Sequence, residues 1–454
     1  MKGRTPLSRR DALATIGALG ATALAGCQSA EPSIKIDRTV LRDEVTPIRL
    51  TGFPPETEVE LAVHMDWEQP SVSTLTIKTD SEGIADLSDQ APVAGDYEGV
   101  APMGWLWSMR QPEELPELLT TAVSTASETE TATETETPPV SSATVTLVAA
   151  IDGERRATAT QTRRLVGESV EHRPVRQSDL VGELFVPAGD GPHPGVLALH
   201  GSGGEEVWSY GRLLASHGFT ALSLDYFGPE DGNPSQLRDV PLSYFERAAA
   251  FLDSLPEVAD SQIGVTGVSR GSEVALMLGV RSDLIGAVVV LAPSHYRWGR
   301  AWTAGGERLP SLVPASGTTE FEGGKAIYTP TFLAGTEQAS EETVEAATIP
   351  IEEIDAPIMF VSGQADTLWP SATFARRAVE RLEANGFDHE VAHLSYENAG
   401  HAVSNVPYKP TQPLYATEEY VLGGTPRGNA AAIADAWPER VAFLRRALVD
   451  ENSE

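Results

Sequence analysis

The run Gly264-Val265-Thr266-Gly267-Val268-Ser269-Arg270-Gly271-Ser272-Glu273 constrains this chain more than any other. It holds Gly-x-Ser-x-Gly, with Gly267 and Gly271 around Ser269. Apolar Ile263 and Val265 precede the motif, and Val274-Ala275-Leu276-Met277-Leu278 follows it with helical character. Strand, sharp turn and helix in this order make a nucleophile elbow. The flanking glycines are expected to let the backbone turn tightly, so that Ser269 Oγ stands clear at the strand tip. The helix that follows points its positive end at negative charge developing there.

A serine hydroxyl is a weak nucleophile near neutral pH and needs a base. Two partners follow in the chain. Ala356-Pro357-Ile358-Met359-Phe360-Val361-Ser362-Gly363 reads as a buried strand, with Asp366 just past its end. Tyr396-Glu397-Asn398-Ala399-Gly400-His401 places a histidine in a loop. Ser, then Asp, then His is the chain order of α/β-hydrolases. His401 is the expected base and Asp366 the group that fixes its tautomer. His295 and His393 are runners-up for the base, and Asp388 and Glu397 for the acid. Upstream, the apolar strand Val196-Leu197-Ala198-Leu199 leads into His200-Gly201-Ser202-Gly203-Gly204. The expected oxyanion donors are the backbone N–H groups of Ser202 and Arg270. Glycines here allow unusual dihedrals and close approach of substrate. His200 is expected to shape this loop, since it precedes the serine. No cofactor or metal site is expected.

The N-terminus reads as targeting. Ser8-Arg9-Arg10-Asp11 is a twin-arginine signature, followed by an apolar run from Ala12 to Ala25 that is too short to span a bilayer. Leu24-Ala25-Gly26-Cys27 resembles a lipoprotein processing box, with Cys27 the sole cysteine and the expected site of lipid attachment. These signals imply an extracytoplasmic protein, exported by the twin-arginine route and held to the membrane by its lipid. The net charge is −32, and only five of the 33 basic residues are lysine. Such an acidic surface fits a high-salt setting, where repulsion is screened. No basic patch appears, which argues against nucleic acid as a partner.

Residues 1–30 are thus signal and tether, and 31–168 read as all-β. Thr46 to Leu50, Glu58 to Val63, Ser73 to Lys78 and Thr144 to Ile151 alternate or are β-branched. Asp152-Gly153 signals a hairpin returning near Thr158 to Arg163. Short strands at this spacing suggest a sandwich. The acidic low-complexity stretch from Ser127 to Pro139 reads as a flexible loop. Across 169–454 strands alternate with helices, implying a mostly parallel sheet flanked by helices. Ser243-Tyr244-Phe245-Glu246 reads as a capping box, with Phe245, Ala249 and Leu252 on one helical face. Phe374, Ala378 and Leu382 share another, and Asn385-Gly386 closes that helix. A glycine- and proline-rich insertion at about 294–354 interrupts the alternation, where such enzymes build substrate pockets.

The chain resembles the family of acyl-CoA thioesterases and bile acid-CoA:amino acid N-acyltransferases over roughly residues 35–449. Thr51-Gly52-Phe53-Pro54-Pro55, Pro102-Met103-Gly104-Trp105-Leu106-Trp107-Ser108, Trp369-Pro370-Ser371, Ala399-Gly400-His401, Gly423-Gly424-Thr425-Pro426 and Ala436-Trp437-Pro438 carry the resemblance. It implies an immunoglobulin-like N-terminal sandwich followed by an α/β-hydrolase, with Ser269, Asp366 and His401 as the triad. Conjugating members of the family carry cysteine at the nucleophile. Ser269 therefore points to water as acceptor. CoA is scarce outside cells, and its phosphates would meet an acidic protein. The expected function is a serine hydrolase of an acyl thioester or ester. The alternatives are an acyltransferase passing the acyl group to an amine, and an inactive surface-anchored binding protein.

Overall fold

Long runs of Val, Leu, Ile and Ala between glycines suit strands buried on both faces, and the C-terminal sheet is built from such runs. In the computed structural model the described residues are 31–449, except 68–69, 121–141, 178, 205–207, 229–232, 260–261 and 413–414. Arg9, Arg10, Cys27 and the Ser127 to Pro139 stretch lie outside them.

The sheet has eight strands: β1 (Glu171–Gln177), β2 (Leu180–Val186), β3 (Gly195–Leu199), β4 (Thr220–Asp225), β5 (Ile263–Val268), β6 (Ile285–Leu291), β7 (Ile358–Gly363) and β8 (Val391–Tyr396). Their spatial order is β1-β2-β4-β3-β5-β6-β7-β8, and β2 runs antiparallel to both neighbours. From β4 onward every pairing is parallel. This is an α/β-hydrolase sheet. Side chains alternate across it. Leu197 and Leu199 join the core under helices α2 (Leu242–Asp253), α3 (Arg270–Arg281) and α5 (Ser371–Ala384). Val196 and Ala198 join the core under α1 (Trp208–Ser216) and α6 (Pro426–Leu448). Helix α4 (Thr329–Gln338) lies between β6 and β7, in the expected insertion.

Phe245, Ala249 and Leu252 are fully buried on one face of α2, as their spacing predicts. Burying one such large side chain contributes about 1.5–3 kcal/mol. The capping box is not formed. Helix α2 starts at Leu242, and its cap is Pro241, with no side-chain bond. The short strand Val240–Pro241 delivers the chain directly into the helix, so Ser243 falls inside the first turn. Helix α5 does close as expected. Gly386 takes φ 66°, and the N–H of Phe387 donates to Leu382 O at 3.1 Å, a Schellman pattern.

The N-terminal part is strand-rich. A six-stranded sheet and a three-stranded sheet (Ser33–Lys35, Arg49–Thr51, Ala85–Asp86) share one core. The strands Ser142–Ile151 and Glu154–Arg164 turn at Asp152 and Gly153, which hold φ 52° and 74°, as a two-residue hairpin requires. The Trp-rich run forms a four-residue helix, Gly104–Trp107. Its Trp105 is fully buried and donates its indole N–H to Thr46 O at 3.3 Å. A side chain at Gly104 would strike the Tyr97 ring, 2.4 Å from a Cβ. This part is tied to the sheet domain through Asp43, whose Oδ2 accepts from the Trp437 indole at 2.8 Å and meets His217 Nε2 at 2.5 Å. No helix among the described residues is long and apolar enough to cross a membrane.

Candidate active site

Strand β5 ends at Val268, and Ser269 sits at the turn into α3 with φ 53° and ψ −117°. The serine itself thus holds the left-handed conformation. The glycines serve another purpose than the turn expected of them. Neither is at positive φ. A Cβ on Gly267 would lie 2.3 Å from Gly271 O, and one on Gly271 would lie 2.4 Å from His200 O. They allow strand, turn and neighbouring loop to pass in contact. The hydroxyl of Ser272 donates to Ser269 O at 2.5 Å, and Ser269 N–H donates to Leu291 O at 2.8 Å. The strained turn is held from two sides.

Asp366 and His401 meet. His401 Nδ1 lies 2.9 Å from Asp366 Oδ2, with the carboxylate 1% exposed. Ser371 Oγ donates to the same oxygen at 2.6 Å. Oδ1 accepts the backbone N–H groups of Leu368 at 3.0 Å and Trp369 at 3.2 Å. The loops carrying acid and base are fastened together by Gly423-Gly424. Asp366 bridges Gly423, and Ala399 bridges Gly424. Gly424 N–H donates to Ala365 O at 3.1 Å, and His401 N–H to Leu422 O at 2.8 Å. Both glycines are at positive φ, and a Cβ on Gly423 would sit 2.0 Å from Ala365 O. Asn429 of α6 completes the clasp, its Oδ1 accepting from Gly400 N–H at 2.8 Å.

Ser202, Ser269 and Arg270 line one cavity of about 310 Å³ with Pro314, Thr331 and Phe332. Trp369 also lines it, and its ring lies 6.1 Å from that of His401, edge to face. The expected oxyanion residues and the serine are therefore neighbours, and the Asp366–His401 pair adjoins them through Trp369. His200 stacks on Tyr226 with centroids 3.9 Å apart, and its Nδ1 donates to Gly201 O at 2.8 Å. Burial pushes its pKa down to about 4, against the raising effect of the Gly201 carbonyl. It shapes the loop as a neutral ring.

The chain matches the family model described as BAAT / acyl-CoA thioester hydrolase C terminal over residues 240–450. Residues 43–177 match the acyl-CoA thioester hydrolase/BAAT N-terminal region. Acyl-coenzyme A thioesterase 6 of Mus musculus is 30% identical over 90% of this chain and 94% of its own length. The chain belongs to this thioesterase and N-acyltransferase family. Another member, acyl-coenzyme A amino acid N-acyltransferase 1 of Mus musculus, is 30% identical over 91% of this chain and 97% of its own. The peroxisomal succinyl-coenzyme A thioesterase of Mus musculus is 28% identical over 90% and 95%.

The runner-up histidines of this family member lie elsewhere. Burial pushes His295 down to about 3, with Arg381 adding to the effect. His393 on β8 pairs with Ser362 Oγ at 2.8 Å, and burial lowers its pKa too. His393→Ala should change kcat/KM less than about threefold while costing about 1 kcal/mol of stability for the lost hydrogen bond. Steady-state kinetics beside a thermal melt would check this.

One group escaped the sequence reading. Glu273, fully buried in the first turn of α3, accepts the Trp302 indole N–H at 2.6 Å and lies 2.8 Å from Arg270 Nε. Burial pushes its carboxyl up to about 7, while Arg270 pulls the other way. Its position three residues after Arg270 was a visible signal. Its tryptophan partners come from the insertion and could not be assigned locally.

Proposed function

We propose that this chain is a serine hydrolase of the acyl-CoA thioesterase type, cleaving an acyl thioester or ester through a Ser269 acyl-enzyme. The observation that carries this reading is the strained Ser269 lining one cavity with Ser202 and Arg270, beside the buried Asp366–His401 pair. Ser269 Oγ attacks the acyl carbonyl as His401 Nε2 takes its proton. The N–H groups of Ser202 and Arg270 stabilise the oxyanion. The tetrahedral intermediate expels the thiol, which receives the proton from His401. Water, deprotonated by the same imidazole, then releases the carboxylic acid and restores Ser269. A fluorophosphonate should label the wild type on Ser269. Labelling that persists in Ser269→Ala would overturn the assignment.

The second reading is acyl transfer to an amine, favoured by the match to an amino acid N-acyltransferase. A serine ester is less reactive toward amines than a cysteine thioester, so water is the acceptor in our reading. With excess glycine or taurine the product is expected to be the free acid, scored by mass spectrometry. Amide as the main product would reverse the order of the two readings.

Residues 31–168 and 169–454 form two domains in this reading, the first an immunoglobulin-like sandwich. Its two sheets sharing one core support that description. The protein is exported by the Arg9-Arg10 signal, anchored through Cys27 and suited to high salt by its charge of −32. Stable anchoring takes two lipid chains. Cys27→Ser should move the protein from the membrane fraction to the soluble one, followed by immunoblot. Wild type recovered as an uncleaved soluble protein would remove the anchor from the reading.

A further inference from the structure

The cavity beside Ser269 is about 310 Å³, at the small end for ligand pockets. Its walls are mostly apolar, from Pro314, Tyr328, Phe332, Leu368 and Trp369. Phe332 is fixed edge-on against Trp298, with centroids 4.8 Å apart, and against Trp369 at 5.8 Å. A group entering this space exchanges water for aromatic and aliphatic surface. An uncharged chain gains from that exchange. A carboxylate loses, unless a cation meets it.

Arg270 is the one cation among the residues lining the cavity. Its guanidinium is engaged elsewhere. Nε lies 2.8 Å from Glu273 Oε1, and Nη2 donates to Trp298 O at 2.5 Å. Glu273 is fixed in turn, its Oε2 accepting the N–H groups of Trp302 at 2.6 Å and Trp298 at 3.3 Å. Turning Arg270 toward a ligand would strand the Glu273 charge in a fully buried site. A new ion pair would be gained only by breaking one already made.

We infer that the acyl group accepted at Ser269 is apolar and uncharged, and that the Arg270–Glu273 pair excludes acyl groups ending in a carboxylate. The inference rests on the acyl-enzyme reading and names its substrate class. It also assigns Glu273 as a specificity-determining residue that acts through Arg270.

Hexanoyl and adipoyl thioesters of N-acetylcysteamine share a leaving group and nearly share a length. At pH 8 the wild type should favour the hexanoyl ester by roughly 100-fold or more in kcat/KM, since only the adipoyl carboxylate would be buried without a partner. Glu273→Gln removes the competing anion, and the preference should fall about tenfold or more, through a lower KM for the adipoyl ester. Leu368→Arg adds a cation to the wall without touching the buried pair and should shift the preference the same way. It decides the matter if Glu273→Gln does not fold. Equal kcat/KM values in the wild type would overturn the inference and leave the acyl-enzyme standing. A wild-type preference unmoved by either folded variant would remove the role of the ion pair. Hydrolysis of neither ester, with no phosphonate label on Ser269, would instead overturn the underlying reading.

Discussion

Ser269→Ala should lower turnover by on the order of 10⁴ to 10⁶-fold with little change in fold. The substitution removes one oxygen and keeps the Cβ, so it meets the same φ of 53° as the serine. The bonds that hold the turn, from Leu291 O and Ser272 Oγ, involve the backbone of residue 269 and survive. What is lost is the oxygen that forms the acyl-enzyme in the proposed mechanism. Residual activity should reflect the oxyanion donors and substrate positioning alone, about 10³ to 10⁴-fold over water. Adding His401→Ala should therefore cost little more, because serine and base act as one unit. Single-turnover kinetics with a chromogenic thioester, beside a thermal melt, would measure both. Turnover within tenfold of wild type would place the nucleophile elsewhere.

Asp366→Asn should cost roughly 10⁴-fold in kcat, and the hydrogen bonds explain why an isosteric change is so severe. Oδ1 of Asp366 accepts two backbone N–H groups, from Leu368 and Trp369. Those donors are fixed by the loop, so the asparagine carbonyl must turn toward them. Its NH₂ then faces His401 Nδ1, at the position where Oδ2 now lies 2.9 Å away. The imidazole adapts by accepting at Nδ1 and carrying its proton on Nε2. A ring protonated there cannot take the Ser269 proton. Ser371 Oγ, which donates to Oδ2 at 2.6 Å, would meet a second donor and turn toward Gly363 O, 3.4 Å away. The melting temperature should change by only a few degrees, as for about 1 kcal/mol. Near-normal turnover would move the acid to another carboxylate, with Asp388 and Glu397 the first to test.

The elbow was legible because its signal is local. An apolar strand, a Gly-x-Ser-x-Gly turn and a helical run adjoin within the span from Ile263 to Leu278. The contact between Asp366 and His401 was legible from chain order and from the apolar run before Asp366. The hairpin at Asp152-Gly153 and the closure of α5 at Gly386 followed from dihedrals that few residues tolerate. What stayed hidden depends on partners far along the chain. Gly267 and Gly271 looked like turn residues, and their contacts with Gly271 O and His200 O give their reason. Ser243 matched a capping pattern, but the preceding strand set the start of α2 one residue before it. The partners of Glu273 at Trp298 and Trp302 come from the insertion, which carries no periodic signal to place them.

The clasp at Gly423-Gly424 has a mechanical consequence. The loops of Asp366 and His401 both meet the same dipeptide, and Asn429 anchors it from α6, its Nδ2 donating to Gly423 O at 3.2 Å. Carboxylate and imidazole thus share one anchor, while the serine sits on a separate element, the β5–α3 elbow. The segment between β6 and β7 is tied to the same assembly, since Thr329 Oγ1 donates to Asp366 O at 2.8 Å and Tyr328 N–H to Thr367 O at 2.9 Å, so a change that reshapes the cavity is also felt in the loop of the carboxylate.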